Sequence, residues 1–263
     1  MTSRSAGGRG LLLDYGGVLT GPVAGSFVAF ERDHGIEPGG TFALLVEASR
    51  TTGGGMIGAL ERGEMTVDAF DRTLAELLAG AGYDPSPDGS LLERLFAEMV
   101  PAGRMWEVAS RVRDAGGRTG LLSNSWGTAT YPRDRLATHF DVTVISGEVG
   151  LRKPDPAIYL LACERLGLAP EACAFVDDLE RNVEVARELG MHAVVHHGDA
   201  AATADALTDF LGVEFVLPAD EDGGTTGSQG RRPSLAGPSA GRRGCGRSAS
   251  TWCRAREGCL TWC

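Results

Sequence analysis

Four short stretches of this chain carry residues able to do chemistry together: Asp14, Ser123-Asn124, Lys153 and Asp177-Asp178. Three of them close an apolar run, Leu11-Leu12-Leu13, Leu121-Leu122 and Phe175-Val176. An apolar run that stops in a carboxylate, a hydroxyl or an amide reads as a strand whose carboxyl end meets a ligand. Asp14 leads into Tyr15-Gly16-Gly17-Val18-Leu19-Thr20, where glycines let the chain turn tightly and expose main-chain groups. Ser123 and Asn124 place a hydroxyl and an amide donor where they can bind phosphate oxygens, although Ser-Asn after a strand is also ordinary turn chemistry. The adjacent carboxylates of Asp177 and Asp178 repel each other unless a cation relieves them. Magnesium is the natural candidate, a hard ion that takes a few carboxylates and keeps waters for substrate oxygens. The competing reading of the pair is a charged first turn on a helix beginning at Leu179.

Lys153 is the only lysine beside 24 arginines, in Arg152-Lys153-Pro154-Asp155-Pro156. Where nearly every cation is a guanidinium, a lone ammonium marks a place that needs a compact charge on a flexible stem. Lys153 supplies positive charge for an anionic substrate, an attacking carboxylate and the acidic pair.

These residues need a frame that brings them together. Short apolar runs alternate with helical patterns from Gly10 to about Val216, the signature of a parallel sheet wrapped by helices. Strands are expected at residues 11–14, 119–122, 142–145, 174–177 and 192–196, and helices at 105–115, 157–166 and 179–189, the last stopped by Gly190. Residues 21–103 are too long for a simple crossover and show helical periodicity in Phe27, Phe30, Phe42, Leu45, Phe70, Leu74, Leu77, Leu78, Leu92, Leu95, Phe96 and Met99. They are expected to form an inserted helical domain, with Thr66 as an N-cap and a flexible break at 51–55. The expected fold class is therefore α/β: a doubly wound, Rossmann-like parallel sheet from residues 1–20 and 104–217, a helical cap at 21–103, and a disordered C-terminal tail at 218–263 rich in Gly, Arg, Ser and Cys.

Bulk composition limits the partners. The net charge is −10, and residues 223–263 hold seven Arg against one Glu, so the body of the chain is more acidic still. That argues against nucleic acid as a partner. No apolar run approaches the ~20 residues of a membrane span, and Leu11-Leu12-Leu13 is too short for a signal-peptide core, so a soluble cytoplasmic protein is expected. Cys163 and Cys173 read as buried reduced thiols, while Cys245, Cys253, Cys259 and Cys263 lack the C-x2-C spacing of a structural zinc site.

The four blocks LLLDYGGVLT, LLSN, VGLRKPDPAIY and FVDDLERNVEVARELGM, in that order, resemble the haloacid dehalogenase superfamily, specifically its phosphatase-like members with a helical cap inserted after the first strand. The resemblance covers about residues 10–200. It implies a hydrolase in which Asp14 attacks phosphorus and forms an aspartyl phosphate, Ser123 holds the phosphoryl oxygens and Lys153 balances charge. It also implies that magnesium is bound by Asp14, Asp178 and the Gly16 main-chain carbonyl, with Asp177 in support. The substrate is then a small phosphorylated metabolite. One position departs from the pattern: such phosphatases usually carry a second Asp two residues after the nucleophile, where this chain has Gly16. A general acid and base contributes ~10²- to 10⁴-fold, so slow turnover, a good leaving group or a substitute proton donor is expected. Two other readings remain, a 2-haloacid dehalogenase in which Asp14 attacks carbon, and a regulatory module that binds phosphate and magnesium without useful catalysis. His192, His196 and His197 are expected to be core-edge or solvated, since neighbours in an extended segment point to opposite faces. Trp126 either walls the pocket or packs on the core.

Overall fold

The computed structural model describes residues 8–51, 55–85, 89–101, 103–127 and 131–217. The expectations for the tail at 218–263, and for the centre of the break at 51–55, lie outside the described residues. Five strands, β1 (Gly10–Leu13), β2 (Arg118–Ser123), β3 (Val142–Ile145), β4 (Cys173–Asp177) and β5 (His192–Val195), pair in the order β3-β2-β1-β4-β5, all parallel. The chain moves outward from β1 to β2 and β3 on one side, then returns to place β4 and β5 on the other. The order therefore reverses at β1, and the crevice for a ligand opens at the carboxyl ends of β1, β2 and β4.

Side-chain alternation along β1 explains why it takes the centre. Leu11 and Leu13 enter one core with Trp106, Val108 and Val112 of α6 (Met105–Asp114) and with Leu207 and Leu211 of α11 (Ala200–Leu211). Leu12 enters the opposite core with Ile158 and Tyr159 of α9 (Pro156–Leu166) and Val183 and Ala186 of α10 (Glu180–Glu188). A strand covered on both faces needs a continuous apolar run, and all of β1 is buried. Three of the expected strands begin a residue earlier in the structure, and the helices agree within a residue at each end. Helix α11 was not among the expected elements. Its sequence is rich in alanine, and it is started by Asp199, whose Oδ1 accepts from Ala201 N–H at 2.9 Å and Ala202 N–H at 3.0 Å.

Among the described residues, five helices lie between β1 and α6: α1 (Val23–Asp33), α2 (Gly40–Thr51), α3 (Met56–Glu61), α4 (Val67–Gly80) and α5 (Leu91–Leu95). Their apolar faces meet in Phe27, Phe30, Leu45, Phe70, Leu74, Leu78, Leu92 and Leu95, all buried. Thr66 caps α4, its Oγ1 accepting from Ala69 N–H at 3.2 Å. An antiparallel bridge between Thr20 and Pro101 ties together the two chain passes on either side of these helices. No described helix is long and apolar enough to cross a membrane.

Candidate active site

Asp14 directly follows β1, Ser123 ends β2, and Asp177 ends β4. Asp14 N–H donates to Val176 O at 2.9 Å, which continues the β1–β4 pairing one residue further and fixes Asp14 beside Asp177.

Lys153 joins them. Its Nζ lies 2.8 Å from Asp14 Oδ1 and 2.6 Å from Asp177 Oδ2, and its side chain is 1% exposed. Burial alone would drive this ammonium toward its neutral form, but the charges of Asp14 and Asp177 outweigh that and hold its pKa above the ordinary lysine range. Asn124 places Lys153 from behind. Its Oδ1 accepts from Lys153 N–H at 2.8 Å and its Nδ2 donates to Lys153 O at 3.0 Å.

The two adjacent acids are placed very differently. Asp177 is fully buried and its carboxylate is surrounded by donors: Lys153 Nζ on Oδ2, then Leu179 N–H and Asn182 Nδ2 on Oδ1, both at 2.9 Å. Asp178 is partly exposed, and among the described residues no ion pair or side-chain donor reaches it. Burial, followed by the charges of Asp14 and Asp177, pushes Asp178 up to about 8. Asp14 is raised to about 6, chiefly by burial and against the pull of Lys153.

The turn after β1 fits closely against Asp178. Tyr15 O accepts from Leu19 N–H at 2.9 Å and Thr20 N–H at 3.1 Å, and Gly17 N–H donates to Thr20 Oγ1 at 3.2 Å. Gly17 has φ +74°, and a Cβ there would stand 2.3 Å from Asp178 Oδ2. At Gly16 a Cβ would meet Val23 Cγ2 at 3.1 Å and Met99 Cε at 3.4 Å, so its side is walled by apolar atoms.

Ser123 is buried, its Oγ 2.9 Å from Tyr131 Oη, and Tyr131 packs against the ring of Tyr15 with centroids 4.8 Å apart. Burial holds the Tyr131 phenol above its usual range. Nothing in the sequence singles out Tyr131, because its partner is eight residues away.

These residues can hold a divalent cation. Asp14, Asp177 and Asp178 each offer an oxygen, all within 4.8 Å of one another. Three carboxylates gather about one ammonium, so the cluster is short of positive charge, and Asp178, raised by burial and then by the charges of Asp14 and Asp177, has no ion-pair partner among the described residues. The missing Cβ of Gly17 leaves room for that carboxylate. Oxygen-only donors suit a hard ion such as magnesium.

Two further residues lie outside the four stretches that carry the chemistry. Glu61, the last residue of α3, is 5% exposed, and its carboxylate lies 2.7 Å from Arg152 Nε. Its main-chain oxygen accepts from Ser146 Oγ, at the head of α8 (Ser146–Val149). Trp126 packs among aromatic residues of the inserted helices, its ring centroid 4.8 Å from Phe96, 6.2 Å from Phe70 and 6.4 Å from Phe27. The histidines form no comparable centre: His196 Nδ1 lies 2.8 Å from Thr203 Oγ1, and His192 stacks on Phe210. Cys163 and Cys173 are buried free thiols.

Residues 93–190 match the family model described as haloacid dehalogenase-like hydrolase. The chain is 31% identical over 192 residues to acyl-CoA dehydrogenase family member 10 of Mus musculus, covering 71% of this chain and 18% of that protein. It is 35% identical over 135 residues to phosphoserine phosphatase of Thermus thermophilus, covering 47% of this chain and 53% of that protein. The chain thus spans only part of the length of these relatives. Its fold is similar to a haloacid dehalogenase family enzyme from Bacteroides thetaiotaomicron crystallised with magnesium and inorganic phosphate, with TM-score 0.55 and 23% identity over 75% of this chain and 99% of the other. It is also similar to a crystal structure of a dehalogenase, with TM-score 0.53 and 20% identity over 72% and 84%. At such identities these likenesses concern the fold alone. Residues 93–190 are thus similar to haloacid dehalogenase-like hydrolases, and the fold around them is similar to that of enzymes of that name.

Proposed function

We propose that the protein is a magnesium-dependent phosphatase acting on a small phosphorylated metabolite through an aspartyl-phosphate intermediate. The observation that carries this reading is the bridge of Lys153 between Asp14 and Asp177, with the Asp178 carboxylate beside it and without an ion-pair partner among the described residues. A carboxylate that must displace an alkoxide from a phosphate dianion needs positive charge on both groups, and this arrangement supplies it. The similarity to phosphoserine phosphatase of Thermus thermophilus supports a small phosphorylated substrate.

Asp14 is the nucleophile in this reading. Raised only to about 6, it is mostly ionised at neutral pH and needs no base to activate it. Lys153 uses two of its three N–H groups on Asp14 and Asp177, leaving the third for a phosphoryl oxygen. Ser123, steadied by Tyr131, binds a second oxygen. The ion, held by Asp14, Asp178 and the Gly16 carbonyl, would neutralise phosphoryl charge. Asn124, with both ends of its carboxamide on the Lys153 main chain, acts by positioning Lys153. Residues 21–103 serve as the cap, excluding water over the crevice.

An aryl phosphate assay, with magnesium and then with chelator, tests the proposal. Metal-dependent release of phosphate that disappears in Asp14→Asn is expected. Halide release from 2-chloropropionate in chelator would replace this reading with the dehalogenase, for which the acidic pair has no use.

A further inference from the structure

We propose that Glu61, reaching the site from the inserted helices, is the general acid and base that the turn after β1 lacks. The inference rests on the phosphatase reading and deepens it.

The position two residues beyond Asp14 cannot do this work. Gly16 has no side chain, and the space beside it is closed by Val23 and Met99. The nearby hydroxyls are no substitute. Thr20 Oγ1 is occupied within the turn, accepting from Gly17 N–H and lying 3.0 Å from Gly21 O, and burial pushes the Tyr15 phenol up, away from neutral pH. Asp178 is committed to the cation.

Glu61 has the chemistry and the placement. It is nearly buried, yet it does not point into the hydrophobic interior of its own helices. Its main-chain oxygen is fastened to Ser146 and its carboxylate lies 2.7 Å from Arg152, the residue before Lys153. Arg152 directly precedes Lys153 in the chain, so the Glu61–Arg152 pair is held next to the residue that bridges Asp14 and Asp177. The groups whose charges reach Glu61 are Arg152, Arg181 and Lys153, which favour its anion, and Asp14, which opposes it. Burial outweighs the three cations and raises the carboxyl to about 6, where it can both give and take a proton near neutral pH.

The steps balance as follows. Asp14 forms a bond to phosphorus while the bond to the leaving oxygen breaks, and that oxygen takes the proton of the Glu61 carboxyl and departs as the alcohol. Glu61, now a carboxylate, takes a proton from water as the water oxygen attacks phosphorus. The bond from phosphorus to Asp14 breaks, giving orthophosphate, the free Asp14 carboxylate and protonated Glu61.

Glu61→Gln keeps the size of the side chain and an oxygen for Arg152, and its folding is checked by circular dichroism and melting temperature. In the full chain with magnesium, it should lose roughly 10²- to 10⁴-fold in kcat on an alkyl phosphate such as glycerol phosphate. On p-nitrophenyl phosphate, whose leaving group needs no proton, it should release a rapid burst of nitrophenol near one equivalent per enzyme, followed by slow turnover as aspartyl phosphate waits for water. Glu61→Asp, which keeps the carboxyl, should recover part of the alkyl phosphate activity. Equal loss on both substrates without a burst, or no loss on either, would overturn the assignment. If the phosphatase reading itself were wrong, the unmodified protein would hydrolyse neither substrate, which separates the two failures.

Discussion

The Asn124 carboxamide grips the Lys153 main chain at both ends, accepting from its N–H at 2.8 Å and donating to its carbonyl at 3.0 Å. The ammonium is therefore aimed by a clamp on its own backbone, reached from the end of β2. Asn124→Asp keeps the acceptor but sets a carboxylate oxygen against the Lys153 carbonyl. Steady-state kinetics should show kcat reduced by about 10- to 100-fold with KM changed much less, because the defect lies in placing a charge that matters most as the phosphoryl group transfers. An unchanged kcat would show that the clamp does not position Lys153.

Lys153→Arg tests whether charge alone is enough. The lysine side chain is 1% exposed between two carboxylates, 2.8 and 2.6 Å away. A planar guanidinium is wider than an ammonium and cannot occupy that space in the same way. Phosphatase activity should fall by more than about 10²-fold although the charge is kept. Lys153→Met should go further and destabilise the fold by about 3–5 kcal/mol in denaturant titration, since it leaves buried carboxylates without their partner.

Much of this site is legible from strand ends. Asp14, Ser123 and Asp177 each close an apolar run, and a parallel sheet brings such ends to one edge whatever the loops between them do. The division between Asp177 and Asp178 is implied by the family resemblance and not by the residues themselves, because it depends on which carboxylate turns toward Asn182 in the first turn of α10. The amide of Asn124 reads equally as a phosphate ligand or as a turn residue, and only its partner decides. Glu61 lies outside any sequence argument. It ends a six-residue helix, and its meaning comes from the way the inserted helices dock against Ser146 and Arg152. Helix α11 is hidden for another reason: its alanines give weak apolar contrast, so periodicity alone does not mark its buried face.

The charge deficit at Asp178 should be measurable as stability. Its pKa is about 8 in the folded protein against an ordinary value of 3.8. Between those values the unfolded chain has lost the proton and the folded chain has kept it, so this group lowers stability as pH rises from about 4 to 8, and the loss persists above that. Asp178→Asn should therefore melt higher than the unmodified protein at pH 8 in chelator, by on the order of 2 kcal/mol or about 4–8 °C. Saturating magnesium should reverse the order, because only the aspartate can bind it tightly. Thermal scans at pH 5 and 8, with and without magnesium, check both signs, and an Asp178→Asn protein less stable than its parent in chelator would contradict the argument.

Gly16 and Gly17 should respond oppositely to the same small change. At Gly16 an added methyl group meets Met99 Cε at 3.4 Å, the far end of a flexible side chain, and Val23 Cγ2 at 3.1 Å, where the stiff β-branched side chain must give by a few tenths of an ångström. Gly16→Ala should cost no more than about 1–2 kcal/mol, and because the expected metal contact there is a main-chain carbonyl, magnesium dependence should survive. At Gly17 the φ of +74° disfavours any side chain, and the methyl group would fall 2.3 Å from Asp178 Oδ2. That carboxylate must then move away from Asp14 and Asp177. Gly17→Ala should raise the magnesium concentration needed for half-maximal activity by about tenfold or more, a shift that follows from losing about 1.4 kcal/mol of binding. Metal titrations of the two variants decide the matter, and equal responses would mean that the turn does not shape the cation site.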